Sequence, residues 1–187
     1  MIVVKLGGSL SRSVALINCL NSVAQRYQGR AVVIVPGGGA FADQVRLAQQ
    51  HWQFDGRTAH RMAILAMQQM AMLFNGIRPD FAVASSVADI RRQLQRQACV
   101  IWSPDNAELE QAAIPASWDI TSDSLAVWLA KTLGATELIL VKSAVIDASL
   151  SLAQLAEKHI VDPGFCDAVR AATFKIQVVN QKSFGSL

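Results

Sequence analysis

A chain of 187 residues, 52% hydrophobic and 17% charged, is long enough to bury a sizeable core and far from the composition of a disordered segment. Its net charge of +3 is too thinly spread for a nucleic-acid surface, which asks for clustered Lys and Arg with interleaved aromatics. The nearest cluster, Arg91, Arg92 and Arg96, reads better as the solvated face of a helix. The longest apolar stretch, Met62 to Phe74, is broken by Gln68-Gln69 and is too short to span a bilayer, so no membrane partner is expected. Strand-like sequence begins at the second residue with no charged leader or cleavage site, which argues against a secreted precursor. Cys19, Cys99 and Cys166 are odd in number and lack metal-ligand spacing, so buried thiols in a reducing cytoplasm are expected and no metal site.

In chain order, Ile2-Val3-Val4-Lys5-Leu6 predicts a strand that runs into Gly7-Gly8-Ser9. Lys5 lies inside the apolar run, where a lysine normally has an anion to meet. Ser13 to Tyr27 places Leu16, Leu20, Val23 and Tyr27 at helical spacing, with Gly29 as a stop signal. The run Ala31 to Val35 predicts a second buried strand, which breaks at Pro36 and opens into Gly37-Gly38-Gly39 before a helical pattern begins. A helix starting at a strand's end points free N–H groups there, and glycines let an anion approach the backbone closely. A plain strand-to-helix turn that needs flexibility is the alternative, and it accounts better for one glycine than for three. Two such junctions on neighbouring parallel strands put two sets of donors at one edge of the sheet. Asp43 is expected in the first turn of the helix, either as dipole complement or as a ligand.

Phe54 to Thr58 reads as a polar turn, followed by a helix from Ala59 to Phe74 that is apolar around most of its circumference. Such a helix is buried on several sides, within the domain or against a second subunit. Arg57 and His60 precede its buried part and are candidates to reach a substrate, although capping or surface roles also fit. Phe81 to Ala84 and Cys99 to Trp102 predict strands, with a polar-faced helix from Val87 to Gln97 between them. Asp105 to Ser117 reads as a loop with an amphipathic turn. In Trp118-Asp119-Ile120-Thr121-Ser122-Asp123, Thr121 or Ser122 can cap a helix stopped by Gly134. Capping alone does not ask for two acids and two hydroxyls beside a tryptophan. Glu137 to Ser143 is a further strand ending in Lys142 and Ser143. A helical stretch from Leu150 to His159 and a strand from Lys175 to Asn180 close the chain.

Glycine cradles and two strand-end lysines without a nucleophile–base pair suit phosphoryl transfer, which needs alignment and charge neutralisation more than covalent help. Neither a Walker pattern nor a complete G-x-G-x-x-G is present.

Val4-Lys5-Leu6-Gly7-Gly8-Ser9, Val35-Pro36-Gly37-Gly38-Gly39, Asp119-Ile120-Thr121-Ser122-Asp123 and Leu140-Val141-Lys142-Ser143 resemble, in order, the motifs of the amino acid kinase superfamily. The stretches 59–68 and 118–123 resemble most its small aspartokinase-like branch, which includes the (aminomethyl)furanmethanol phosphate kinase of methanofuran biosynthesis. The resemblance implies a single α/β domain over the whole chain, a three-layer α/β/α sandwich with a mostly parallel sheet. It also implies ATP with Mg2+ as donor, a small phosphorylated acceptor and a homodimer or larger oligomer. By the same resemblance Lys5 and Lys142 stabilise the transferring group and Asp123 organises them. Gly7, Gly8, Ser9, Gly37, Gly38, Gly39, Ser143 and Asp147 fall to phosphate or nucleotide binding. Arg57, His60, Asp119 and Thr121 fall to the acceptor, with Asp119 as the carboxylate for an acceptor amine. The chain departs from the family in its shortness and in carrying Asp147-Ala148 where Asp-Gly is usual, which puts the nucleotide half in question. A uridylate- or isopentenyl-phosphate-type kinase is the alternative enzyme, and a non-catalytic nucleotide or oxyanion binder is the rival from another class.

Overall fold

A computed structural model describes residues 1–186. The apolar runs form a six-stranded sheet in the order β3-β4-β2-β1-β5-β6, with every neighbouring pair parallel. The strands are β1 (Ile2–Leu6), β2 (Val32–Pro36), β3 (Ala82–Ala84), β4 (Cys99–Trp102), β5 (Glu137–Lys142) and β6 (Lys175–Asn180). Around them lie α1 (Ala15–Arg26), α2 (Gly39–Trp52), α3 (Gly56–Ile77), α4 (Val87–Leu94) and α5 (Asn106–Gln111). After these come α6 (Ser122–Leu133), α7 (Leu152–Glu157), α8 (Phe165–Ala168) and α9 (Gln181–Ser186). A tight 3-10 turn, Gly8–Arg12, follows β1.

Both faces of the sheet are covered, which is why its central strands read as unbroken apolar runs. Val3, Val33, Val35, Leu138 and Leu140 pack on one face with Leu125 and Leu129 of α6, Leu155 of α7 and Phe165 of α8. Ile2, Val4, Leu6, Ile34 and Val141 pack on the other with Leu16, Leu20 and Val23 of α1 and Phe184 of α9. Strand alternation therefore sends Lys5, in phase with Val3, and Lys142, in phase with Leu140, to the face covered by α6. The elements after β1 and β5 leave to opposite faces. These adjacent strands thus flank a topological switch point, where α/β sheets place their ligands outside the carboxyl ends of the strands.

Several sequence expectations change. The polar turn at 54–58 is the start of α3, because the Asp55 side chain accepts from Thr58 N–H at 2.7 Å and nucleates the helix three residues early. The loop at 105–117 contains α5, capped by Asp105. The helix expected over 150–159 shrinks to α7, started by a reciprocal Ser151–Gln154 capping box. Asp43 stands in the second turn of α2, not the first, and pairs with Arg12 at 2.7 Å. Only Cys19 of the three thiols is buried, where burial pushes it up to about 11; Cys99 and Cys166 are partly exposed. The 91–92 arginines behave as a solvated face, Arg92 pairing with Asp89 and Arg91 donating to the Thr132 carbonyl. Among the described residues no helix is long and apolar enough to cross a membrane.

Candidate active site

Lys5 and Lys142 meet on one carboxylate. The Lys5 ammonium lies 2.8 Å from Asp123 Oδ1, and Lys142 Nζ donates to Asp123 Oδ2 at 2.5 Å. Lys5 is 4% exposed and Asp123 3%, and charges so buried persist only when paired. Burial alone raises the Asp123 carboxyl, but the two ammonium groups outweigh it and hold it below the usual carboxylate range. Burial, and then the like charge of Lys5, bring Lys142 down to about 8, against the opposing pull of Asp123.

Asp123 sits in the first turn of α6, and the helix is held there by a residue that local reading does not find. Thr121 occupies the N-cap position but its side chain closes no cap bond. Asp162, buried in the loop before α8, does so instead. Its Oδ2 accepts from Thr121 N–H at 2.9 Å, Thr121 Oγ1 at 2.8 Å and Ser124 N–H at 3.0 Å, and its Oδ1 accepts from the Ser124 hydroxyl. The Asp162 amide donates in turn to Asp123 Oδ2 at 3.3 Å. The expected Thr121 or Ser122 cap is corrected accordingly: Thr121 is a donor to the real cap.

The glycines are divided by their roles. Gly7 N–H donates to Val141 carbonyl at 3.0 Å and Gly37 N–H to Leu6 carbonyl at 2.9 Å, so both extend the sheet and neither amide is available for a phosphate. Gly8 and Gly37 are also where the two junctions touch. A Cβ on Gly8 would lie 2.2 Å from Gly39 N, and one on Gly37 2.4 Å from Gly8 N. Only backbone without side chains packs that closely. The amides that remain are those at the starts of the 3-10 turn and of α2, Gly8, Ser9, Gly38 and Gly39, positions that have no intrahelical acceptor. The start of α2 carries no side-chain cap. Ser9 and Ser143 hydroxyls bridge the two strand ends at 2.8 Å.

Cavities open on both sides of this centre. One of about 300 Å3 lies against α2, α3 and the start of α6, with the glycine loops at one end and Ala63, Ile64, Met67 and Leu125 as an apolar floor. Arg12, Asp43 and Arg46 stand at its border, with His60 and Thr121 in its wall. Another, of about 310 Å3, is lined by Lys5, Gly8, Ser9, Lys142, Ser143 and Lys158. A third, of about 450 Å3, joins Lys5, Asp123, Lys142 and Asp162 to Arg46 and Asp119.

Most sequence-predicted residues are thus gathered, but three are not where expected. Arg57 pairs with Glu110 at 3.2 Å on the surface and borders a separate small cavity, because the α3 start swings it towards α5. Asp147 turns to Ser149, accepting from its amide at 2.9 Å and its hydroxyl at 2.7 Å, and lines neither lysine cavity. Asp119 accepts from Ser117 Oγ at 3.2 Å and lies on the lysine side, so the carboxylate bordering the apolar-floored cavity is Asp43. Asp162 and Arg46 were missed. Asp162-Pro163-Gly164 looks like an ordinary turn, and Arg46 like one more polar position on an amphipathic helix.

The amino acid kinase family model matches residues 1–144. The (5-(aminomethyl)furan-3-yl)methyl phosphate kinase of Methanocaldococcus jannaschii is 30% identical over 141 residues, 75% of this chain and 64% of that protein. The chain therefore spans less than two thirds of the length of this curated relative. Uridylate kinase from Archaeoglobus fulgidus superposes with a TM-score of 0.76 at 18% identity, covering 98% of this chain and 93% of that one. Aspartate kinase from Synechocystis superposes with a TM-score of 0.68 at 18% identity, covering 97% of this chain and 38% of that one. At these identities the solved structures share the fold.

Proposed function

The chain belongs to the amino acid kinase family, and on that premise we propose that it is a cytoplasmic kinase moving a phosphoryl group from ATP to a small phosphorylated acceptor. The observation that carries this reading is the single buried carboxylate, Asp123, gripping both strand-end lysines at the switch point. An acceptor phosphate oxygen attacks the terminal phosphorus of the nucleotide, the bond to the bridging oxygen breaks, and no side chain becomes covalently attached. Lys5 and Lys142 neutralise charge on the migrating group and Asp123 fixes their positions. Amides of Gly8, Ser9, Gly38 and Gly39 offer directional donors, and the Ser9 and Ser143 hydroxyls line the lysine cavity that would take the donor phosphates.

The residues present fit the phosphate end of ATP: one cavity is lined by the glycine turn at Gly8 and Ser9, by the ammonium groups of Lys5 and Lys142, and by Lys158. When bound, ATP supplies the phosphoryl group and its leaving group. Among the described residues no cluster of His, Cys, Asp and Glu is built to hold a metal ion. Mg2+ would arrive on nucleotide phosphates, which offer the oxygen ligands it prefers.

For the acceptor we propose a ring-bearing phosphomonoester with an amine, of the kind named for the 30% identical relative, which places the chain in methanofuran-type cofactor synthesis. An apolar floor of Ala63, Ile64, Met67 and Leu125 suits a small ring. An ATP-consumption screen tests both levels. Turnover with (5-(aminomethyl)furan-3-yl)methyl phosphate and none with acetylglutamate or aspartate is expected. The reverse pattern overturns the acceptor reading, and no ATP consumption with any acceptor overturns the kinase reading.

The assembly we propose is a homodimer built on α2 and α3. Leu65 (48% exposed), Met72 (71%) and Leu73 (39%) on α3, with Leu47 (56%) and Trp52 (74%) on α2, leave a larger apolar surface than a free helix pair favours. Sedimentation at micromolar concentration should show a dimer that Met72→Glu weakens.

A further inference from the structure

Lys5 and Lys142 already share the Asp123 carboxylate, and the Asp162 carboxylate adds its negative charge near Lys142. Transfer to an acceptor that already carries a phosphate brings two anionic groups together, so the acceptor side needs a cation of its own. Three side chains able to carry positive charge border the apolar-floored cavity, Arg12, Arg46 and His60, beside the carboxylate of Asp43. Arg12 is committed to Asp43 at 2.7 Å. His60 is half-buried, and burial pushes its imidazole towards the neutral form despite the opposing charge of Glu110.

Arg46 is different. Among the described residues it meets no carboxylate, and its guanidinium carbon instead lies over the Trp118 ring, 3.8 Å from the centroid. Trp118 is itself tied down: its indole N–H donates at 2.7 Å to Gln49 Oε1, on the same helix as Arg46. The pair spans α2 and the turn before α6, and Arg46 borders both the apolar-floored cavity and the one holding Lys5, Asp123 and Lys142. A guanidinium stacked on an aromatic face keeps its planar edge free, and that edge offers a fork of N–H donors matched to phosphate oxygens. Stacking also removes much of the rotamer freedom that an exposed arginine would otherwise lose on binding.

We infer that Arg46, braced by Trp118 and Gln49, is the phosphate-reading residue of the acceptor cavity and selects phosphomonoesters over uncharged alcohols. The assignment of that cavity to the acceptor rests on the kinase reading above. The test is calorimetric titration with benzyl phosphate, with benzyl alcohol as its uncharged counterpart, and with a non-hydrolysable ATP analogue. Each is titrated into wild type, Arg46→Ala, Arg46→Lys and Trp118→Leu, with thermal unfolding run alongside to show that the variants fold. Wild type should prefer benzyl phosphate, and Arg46→Ala should lose about 10- to 100-fold in affinity for it, the worth of a charge-assisted hydrogen bond. Benzyl alcohol and the ATP analogue should be unaffected. Arg46→Lys restores part of the preference, since it keeps the charge without the fork, and Trp118→Leu loses part of it. Wild type that fails to bind benzyl phosphate at millimolar concentration overturns the inference, as does an Arg46→Ala variant that binds it equally well. A parallel loss of ATP-analogue affinity would assign Arg46 to the donor and overturn it too. Failure of the ATP analogue to bind wild type, with an Arg46-dependent preference for benzyl phosphate intact, would sink the kinase reading while the anion site stands.

Discussion

The amino ends of α2 and α6 face the same edge of the sheet and treat their orphan N–H groups in opposite ways. α2 starts at Gly39 behind two further glycines, and no side chain closes its first turn. α6 starts at Ser122 with Asp162 accepting from two amides and two hydroxyls. A helix N-terminus draws an anion from solution only where no carboxylate of the chain has already taken the place. The first end is therefore an open cradle. The second is filled, and its work is to hold Asp123 between the two lysines. One local device serves binding in one place and rigidity in the other.

The largest effect should come from removing a cation between the two ends. Lys5→Ala should lower kcat by about 10²- to 10³-fold, as expected for loss of one preorganised charge donor. Its thermal unfolding should change far less, since Asp123 keeps Lys142. An unchanged kcat in the folded variant would break the contrast, leaving the open end without a reaction to serve.

Emptying the filled end is the next test. Asp162→Ala strands the amides of Thr121 and Ser124 inside the protein, at a cost of about 3 kcal/mol. For a domain of this size that is a fall of about 10 °C in Tm. Asp162→Asn, which can still accept hydrogen bonds, should recover part of the loss. A Tm unmoved by Asp162→Ala would mean that α6 is positioned by packing alone.

The pH profile sharpens the picture at the lysines. With Lys142 brought down to about 8 by burial and by Lys5, its charge is present below that pH and lost above it. Turnover should fall as pH rises through about 8, approaching about tenfold per pH unit. Lys142→Arg should flatten the fall, since a guanidinium does not titrate in this range. A profile identical in both proteins would place the controlling group elsewhere. The smallest effect is expected from Arg57→Ala. Its pair with Glu110 is exposed and lies outside the apolar-floored cavity, so acceptor KM should move by less than about twofold.

Much of the fold was legible because it follows from short-range periodicity. Unbroken β-branched runs at Ile2–Leu6 and Val32–Pro36 demand burial on two faces, and helical spacing in α1 follows the 3.6-residue turn. The site was legible where chemistry stood out against that background: lysines inside apolar strands, and glycines stacked at a strand's end. It was less legible where a polar residue had an ordinary local explanation. Arg57 and Asp147 sit beside the motifs in sequence and Asp119 opens one, yet surface partners or the neighbouring cavity claim them.

The sequence by itself determined most of the strands and helices, which strand ends carry charge or glycines, and which helix start carries a carboxylate. Only the tertiary structure decided strand order, and with it that Lys5 and Lys142 flank one switch point. It also decided that the cap of α6 comes from Asp162, 38 residues beyond Ser124, and that Arg46 lies over Trp118. The physical reason is range. Dihedral preference and side-chain periodicity act over a few residues and can be read along the chain. A cap, an ion pair or a stacked ring is satisfied by whatever group the packing brings within about 3–4 Å, and sequence separation does not limit that.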